Sequence, residues 1–447
     1  MSIDWRRLIN EAVDNRFDDM VAMRRQLHAY PEPSGEEFQT SLNLYRRLGD
    51  AGFDVAMGPE GRGVIADFPV ERGPSVPRLS TAGVSPSPST SPGNGDGKAS
   101  HSPLPPGRIA LRADIDALRI QDQKSIAYRS QRDGIMHACG HDAHTAIVWG
   151  ALVSLADLAQ RQALPWPLHL RGIFQPAEET ATGAREMIGA GALDGVGAIL
   201  ANHVDPTRTV GRIGLRSGVL TANCDTMHVV IQGRGGHAAR PHEASDPIAA
   251  AAQFINALYL SIPRVTDSQD AVVVTVGQII AGHNANVIPD QVELRGTLRT
   301  LDARVREQTI GHVRRIAEGI GLSSRTTIKV EFAEGTTSVH NDPAIVDLLR
   351  QSALEVVGPD AIDTIRRPSM GSEDFAFYLD HVPGAMYRLG CASPRVGNFG
   401  LHTPTFDVDE DALRIGAKIL AQTAVAWCDP ERPPIQQAPT KLQSLSA

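Results

Sequence analysis

The chain has 447 residues, 42% of them apolar and 21% charged, with a formal net charge of −8. This length exceeds what one hydrophobic core usually organises, so two domains are expected, and the composition excludes disorder throughout. The charge is spread along the chain without a long basic run, which argues against a nucleic-acid or anionic-lipid surface.

The amino terminus mixes charge with apolar residues at helical spacing and lacks the apolar core of a signal peptide. No apolar segment reads as long enough to span a bilayer. A cytoplasmic location is the default expectation. Cys139, Cys224, Cys391 and Cys428 are far apart, as suits a reducing compartment without a disulfide framework. Only Cys139 has metal-binding neighbours; the other three are expected to be buried as small apolar side chains.

Ile9, Val13, Phe17, Met20, Val21 and Leu27 recur near the helical repeat and predict one amphipathic helix that ends before Pro31. A second helix is predicted over residues 38–51. Strands follow at "GVIADF" and "RIALRADI", separated by a stretch rich in Pro, Ser and Gly. That stretch, residues 74–107, cannot bury enough apolar surface to offset its ordering entropy and is expected to be a disordered insertion. Beyond it, "MHACGHDAHTA" leads into helix "TAIVWGALVSLADLAQ", strand "PLHLRGIFQP", a further helix and strand "GAILANHV". Such alternation predicts an α/β domain with a mainly parallel, helix-covered sheet and functional groups at the carboxyl ends of its strands.

The pattern changes near residue 218. Strand "DTMHVVIQG", helix "DPIAAAAQFINALYLSI", strands "AVVVTVGQIIAG" and "QVELRGTLRT", helix "DARVREQTIGHVRRIAEGIG" and strand "RTTIKVEFAEG" follow in turn. This βαββαβ order predicts a ferredoxin-like satellite domain over 218–330, inserted between the catalytic domain's two parts, 1–217 and 331–430. A last helix is predicted from Asp409 to about Trp427, and residues 431–447 read as a flexible tail.

In "CGHDAH", Cys139 and His141 flank a glycine, and a thiolate beside an imidazole suits a borderline or soft divalent ion. Alone, the pair reads equally as a buried thiol and a hydrogen-bonded histidine. "FQPAEE" closes an apolar strand with Glu178 and Glu179, a costly doublet if buried and unpaired. Around a metal, one carboxylate ligates while its neighbour takes a proton from water; alone, the doublet reads as a solvated helix start. His203 in "ANHVDP" is expected to close the next strand, and His402 in "GLHTPTF" to lie on a late loop. A rival reading, Cys139 as nucleophile with His141 or His144 as its base, leaves Glu178, Glu179, His203 and His402 without a role.

The motifs "RADIDAL", "MHACGHDAHTA", "FQPAEE", "ANHVDP", "GGHAARPH", "NVIPD", "GTLRT", "GSEDFAFY" and "LHTPTFDVDEDAL", in that order, resemble the M20 metallopeptidase family, and within it the amidohydrolase branch. The resemblance covers nearly the whole chain. It implies two divalent ions, Mn²⁺ or Zn²⁺, bridged by the Cys139 thiolate. Glu179 and His402 would complete one site, His141 and His203 the other, and Glu178 would be the general base. The classical peptidase branch has a histidine ligand where this chain has Arg112 and an aspartate as the bridge, so the chain resembles the branch with ligands in the "CGHD" loop.

His237 matches a histidine that reaches the partner subunit's active site and holds the scissile carbonyl oxygen. Asn286 and Arg299 match positions that hold the substrate's carboxylate. The resemblance also implies a homodimer through the satellite domain. The implied activity is hydrolysis of an N-acyl or N-aroyl amino acid, with a dipeptidase or carboxypeptidase of the same family as the alternative. A binding protein that keeps the fold without catalysis is the reading from a different class, and the intact ligand set and Glu178 argue against it.

Overall fold

The computed structural model describes residues 4–68 and 107–432. The expected disordered insertion and flexible tail therefore lie outside the described residues, apart from the insertion's last residue, 107, and the tail's first two, 431 and 432. The catalytic part opens with helices α1 (Trp5–Asp14), α2 (Phe17–Ala29) and α3 (Phe38–Asp50) and strands β1 (Asp54–Met57), β2 (Val64–Phe68) and β3 (Arg108–Asp114). Helix α4 (His141–Gln160), β4 (Leu170–Gln175), α5 (Gly183–Gly189), β5 (Val196–Thr209), β6 (Ile213–Leu215) and β7 (Gly218–Val219) follow.

The satellite comprises β8 (Asn223–Gln232), β9 (Gly236–His237), α6 (Pro247–Val265), β10 (Val272–Ala281), β11 (Val287–Ile288), β12 (Gln291–Thr300), α7 (Ala303–Ser324) and β13 (Thr327–Thr336). The chain then returns through β14 (His340–Asn341), α8 (Pro343–Val357), β15 (Ile362–Thr364), α9 (Ala376–Leu379), β16 (Gly384–Ala392) and α10 (Asp411–Trp427).

The catalytic sheet has eight strands in the order β1-β2-β4-β3-β5-β16-β6-β15. Its centre, β4-β3-β5-β16, is parallel, with antiparallel pairings outside it at β1–β2, β2–β4 and β16–β6. One face packs against α4 and α10. From His141 to Ala156 every residue of α4 is buried, because the helix is wedged between the sheet, α10 and the amino-terminal helices. A helix so enclosed has no polar face to show.

Where the spacing predicts one amino-terminal helix there are two. The break lies at Asn15–Arg16, whose N–H groups close onto Glu11 O and Val13 O at 3.0 Å. Asp14 and Asn15 compete for backbone hydrogen bonds and favour such a turn. Each helix then aims its own apolar residues inward, Ile9 and Val13 from α1 and Met20, Met23 and Leu27 from α2.

The satellite strands run antiparallel in the order β10-β12-β8-β13, the ferredoxin-like arrangement expected from βαββαβ. Strand β13 continues to Thr336, opposite Cys224, and so passes the expected boundary at 330. Helix α6 corrects one expectation. It has 19 residues, and an 18-residue window of it reaches a mean hydropathy of 1.2, enough by length and composition to cross a membrane. Ala250, Ala251, Phe254, Leu258 and Ile262 bury one face of it in the satellite core, while Leu260 on the other side is 72% exposed.

Candidate metal centre

Strands β3 and β4 deliver the first acidic groups. β3 ends at Asp114, with Asp116 two residues on, and Glu178 and Glu179 follow the end of β4. The "CGHD" turn reaches the same place through Gly140, whose φ of +92° is a left-handed conformation that favours glycine. A Cβ there would lie 2.3 Å from Val204 Cγ2. The tight turn sets Cys139 just before α4 and His141 as its first residue.

Hydrogen bonds fix both imidazoles. His141 Nδ1 lies 2.9 Å from Asp116 O and 3.1 Å from Asp116 Oδ1. Both partners are acceptors, so Nδ1 carries the proton and Nε2 keeps its lone pair. His203 Nδ1 likewise donates to Val204 O at 2.8 Å. A second group that holds one nitrogen and aims the other is the usual support of a ligating histidine. His144 is different. Its Nδ1 donates to Asp114 Oδ1 at 2.7 Å and its Nε2 accepts from Val204 N at 2.9 Å, which leaves no lone pair for a metal.

Two sets of three donors share one sulfur. Cys139, His141 and His203 place donor atoms within 4.8 Å of one another, and so do Cys139, Glu179 and His402. Cys139 Sγ is 3.5 Å from His203 Nε2, and His402 Nε2 is 3.4 Å from Glu179 Oε1. His402 reaches its position through a left-handed backbone, φ 61°, pinned where its N–H donates to Ala138 O at 2.8 Å. His141 Nε2 and Glu179 Oε1 are buried without a hydrogen-bond partner. Buried polar atoms rarely stay unsatisfied, and convergent N, O and S lone pairs fit divalent cations.

The electrostatics separate the readings of Cys139. Burial first, and Glu179 second, push its thiol up to about 12. A nucleophilic cysteine needs the opposite shift, whereas a bound cation would take the place of the thiol proton. Glu178 stands beside the donor sets, its Oε2 3.8 Å from His141 Nε2. Glu178, Glu373 and Asp374 bring carboxylate oxygens within 4.8 Å of one another. Burial, reinforced by Glu373 and Asp374, raises the Glu178 carboxyl well above the usual range.

Arg112 holds this acidic wall in place. It is 1% exposed and donates to Asp114 at 2.7 Å, to Asp374 at 2.9 Å and, through Nε, to Gln175 at 2.9 Å, with Glu373 at 3.1 Å.

The fold therefore gathers Cys139, His141, Glu178, Glu179, His203 and His402. It does not gather the satellite residues with them. His237 is exposed on β9, where its Nδ1 accepts from Ala239 N at 3.0 Å, and Asn286 is exposed in the turn before β11. Arg299 Nη1 instead contacts Met370 O at 3.2 Å and Ser372 Oγ at 3.4 Å.

Two placements differ from expectation: His203 lies inside β5, which runs on to Thr209, and His141 belongs to a helix rather than a strand-end loop. Cys224 is half-buried, whereas Cys391 and Cys428 are buried as expected. Asp114, Asp116, Glu373 and Asp374 escape the reading of the sequence as functional groups, although "RADIDAL" and "GSEDF" carry them.

The family model for peptidase family M20/M25/M40 matches residues 110–426. The chain belongs to this family. As an M20 protein it is a hydrolase acting on amides, and its relatives carry related names. It is 36% identical over 414 residues to N-acetyl-L-cysteine deacetylase of Bacillus subtilis, covering 92% of this chain and 88% of that one. It is 32% identical over 418 residues to thermostable carboxypeptidase 1 of Saccharolobus solfataricus, covering 92% and 95%. Among solved structures, a B. subtilis protein described as a dinuclear metal-binding peptidase from the M20 family matches with a TM-score of 0.71 and 33% identity, covering 92% of this chain and 98% of that one.

Proposed function

We propose that this M20 enzyme is a metal-dependent amidohydrolase that cleaves an N-acyl or N-aroyl amino acid to a carboxylic acid and a free amino acid. The observation that carries the proposal is the pair of three-donor sets meeting at Cys139, with Glu178 beside them and outside both. On this reading two ions would be held by Cys139, common to both sets, together with Glu179 and His402 in one set and His141 and His203 in the other. Zinc fits the thiolate, and manganese the carboxylate and imidazole donors.

Two divalent ions bound there would supply Lewis acidity and lower the proton affinity of water. The chain's own residues supply the rest. Glu178, whose proton affinity is raised by its setting, accepts a proton from the attacking water at a carboxylate oxygen and returns it to the leaving amine nitrogen. Arg112 and Gln175 hold the acidic wall behind it rigid. His237, reaching from the satellite of a second subunit, would hold the carbonyl oxygen, and Asn286 and Arg299 the substrate's carboxylate. The active species on this reading is a cytoplasmic homodimer, consistent with four free cysteines.

Elemental analysis, paired with hydrolysis of hippurate and N-acetyl amino acids before and after chelation, tests the proposal. About two ions per chain and cleavage that follows the metal are expected. Full activity in metal-free protein would overturn it. Glu178→Gln should abolish turnover and leave metal content intact; lost metal would make Glu178 a ligand. The carboxypeptidase name of one relative favours a second reading, which faster cleavage of dipeptides with a free amine would establish.

A further inference from the structure

Arg388 stands directly opposite His203 across the parallel β16–β5 pair. Register partners on adjacent strands put their side chains on the same face of a sheet. That face also carries Arg112 and Gln175, two and zero residues from the ends of their strands. On its other flank Arg388 is opposite Gly214, which has no side chain. The guanidinium is half-buried and, among the described residues, makes no hydrogen bond or ion pair.

Among the described residues, each buried arginine has a carboxylate partner. Arg24 meets Asp142 and Asp407, Arg112 meets Asp114 and Asp374, and Arg171 grips Asp67 with two bonds of 2.7 Å. Next to Arg388, Arg208 bonds Asp205 at 3.1 Å. Burial lowers the proton affinity of Arg388, and Glu373 only partly offsets this, being already committed to Arg112. A desolvated, unpaired cation is costly unless a ligand completes it, and the planar guanidinium fork matches a carboxylate.

We propose that Arg388 recognises a second carboxylate on the substrate, beyond the one assigned above to Asn286 and Arg299. This inference rests on the amidohydrolase reading and narrows it to substrates with two carboxylates. The second carboxylate belongs either to a dicarboxylic acyl group or to an acidic amino-acid side chain.

The test compares N-acetyl-L-methionine, N-succinyl-L-methionine and N-acetyl-L-glutamate on metal-loaded wild type, Arg388→Met and Arg388→Lys, with glutarate and acetate binding measured by calorimetry. Wild type is expected to favour one dicarboxylic substrate by about tenfold or more in kcat/KM, and the favoured one names the source of the carboxylate. Arg388→Met should lose about 10- to 100-fold on that substrate, mainly through KM, the range of a charge-assisted hydrogen bond. Its loss on N-acetyl-L-methionine should be at least about tenfold smaller, and Arg388→Lys should recover part of the preference. Glutarate binding should weaken in parallel, with acetate little affected. Equal wild-type rates on all three substrates, or an equal loss on all three in Arg388→Met, would make Arg388 a charge-balancing residue and overturn the inference. If no amide is cleaved, the hydrolase reading falls, and glutarate binding by wild type against Arg388→Met still decides the role of Arg388.

Discussion

Asp116 and His141 form the hinge of the candidate metal centre. One carboxylate oxygen of Asp116 accepts from His141 Nδ1 at 3.1 Å, and the other accepts from the Glu179 backbone N–H at 3.0 Å and from Ser34 Oγ at 2.6 Å. A single side chain thus orients a donor of one set and positions the segment carrying a donor of the other. Asp116→Ala should weaken metal binding by about 10- to 100-fold, the usual effect of losing such a support. Competition against a chelator measures this, with circular dichroism as the control for folding. Unchanged affinity would leave Asp116 as a packing residue only.

Metal binding should depend on pH through Cys139. Its thiol, pushed up to about 12 by burial, is protonated in the metal-free protein at neutral pH. Ligation must release that proton, so affinity should rise by about tenfold per pH unit between pH 6 and 9 from this group alone. Calorimetry in buffers of different ionisation enthalpy counts the proton. A pH-independent affinity would remove Cys139 from the ligand set, as would unaltered metal content in Cys139→Ala.

Gly140→Ala should be far more damaging than its size suggests. The residue must hold φ +92°, and its new methyl would meet Val204 Cγ2 at 2.3 Å. A loss of about 1–3 kcal/mol is expected from the backbone strain alone, together with loss of bound metal, because the turn that aligns Cys139 with His141 must shift. Denaturant unfolding and elemental analysis read the two effects separately.

Arg24 is 0% exposed and joins α2 to Asp142 on α4 and to Asp407 and Glu410 ahead of α10. Arg24→Met leaves buried Asp407 without its cation and Asp142 with His28 alone, and should cost about 3–5 kcal/mol. Burial opposes ionisation of Asp142, yet Arg24 and His28 hold its pKa below the usual range. Such a group contributes stability above the ordinary carboxylate pKa and loses it as pH falls through the lowered value. Acid unfolding of Arg24→Met should therefore begin at higher pH than in wild type, and an unshifted acid transition would show the network to be neutral.

The proposed dimer has a testable surface. β10 is an edge strand of the satellite sheet, and Ile279 and Ile280 on it are 58% and 49% exposed. Exposed apolar edges favour pairing with another chain. Ile279→Lys should yield monomers by sedimentation, and activity should fall with the dimer if His237 acts across it. A wild-type monomer with full activity would remove both roles.

Much of this protein was written locally. The periodicities of β8 to β13 with α6 and α7 predict the satellite because each element shows one apolar face to one small core. The candidate donors Cys139, His141, Glu179, His203 and His402, with Glu178, which the fold brings together, stand out in the sequence because the chain carries them in short motifs whose order resembles one family. Local pattern failed where tertiary contacts decide. Asn15–Arg16 splits a continuous apolar stripe because α1 and α2 must each meet the core, and α4 begins at His141 because Gly140 turns the chain there. His144, as ligand-like in sequence as His141, has both ring nitrogens occupied by hydrogen bonds from other segments. Arg112 and Arg388 are both charges on apolar strands; the folded sheet gives one four partners and the other, among the described residues, no hydrogen bond or ion pair. The sequence determines which groups are available, but a lone pair's direction depends on what its neighbours already bind, and for His141 and His144 those neighbours come from other segments, 25, 30 and 60 residues away.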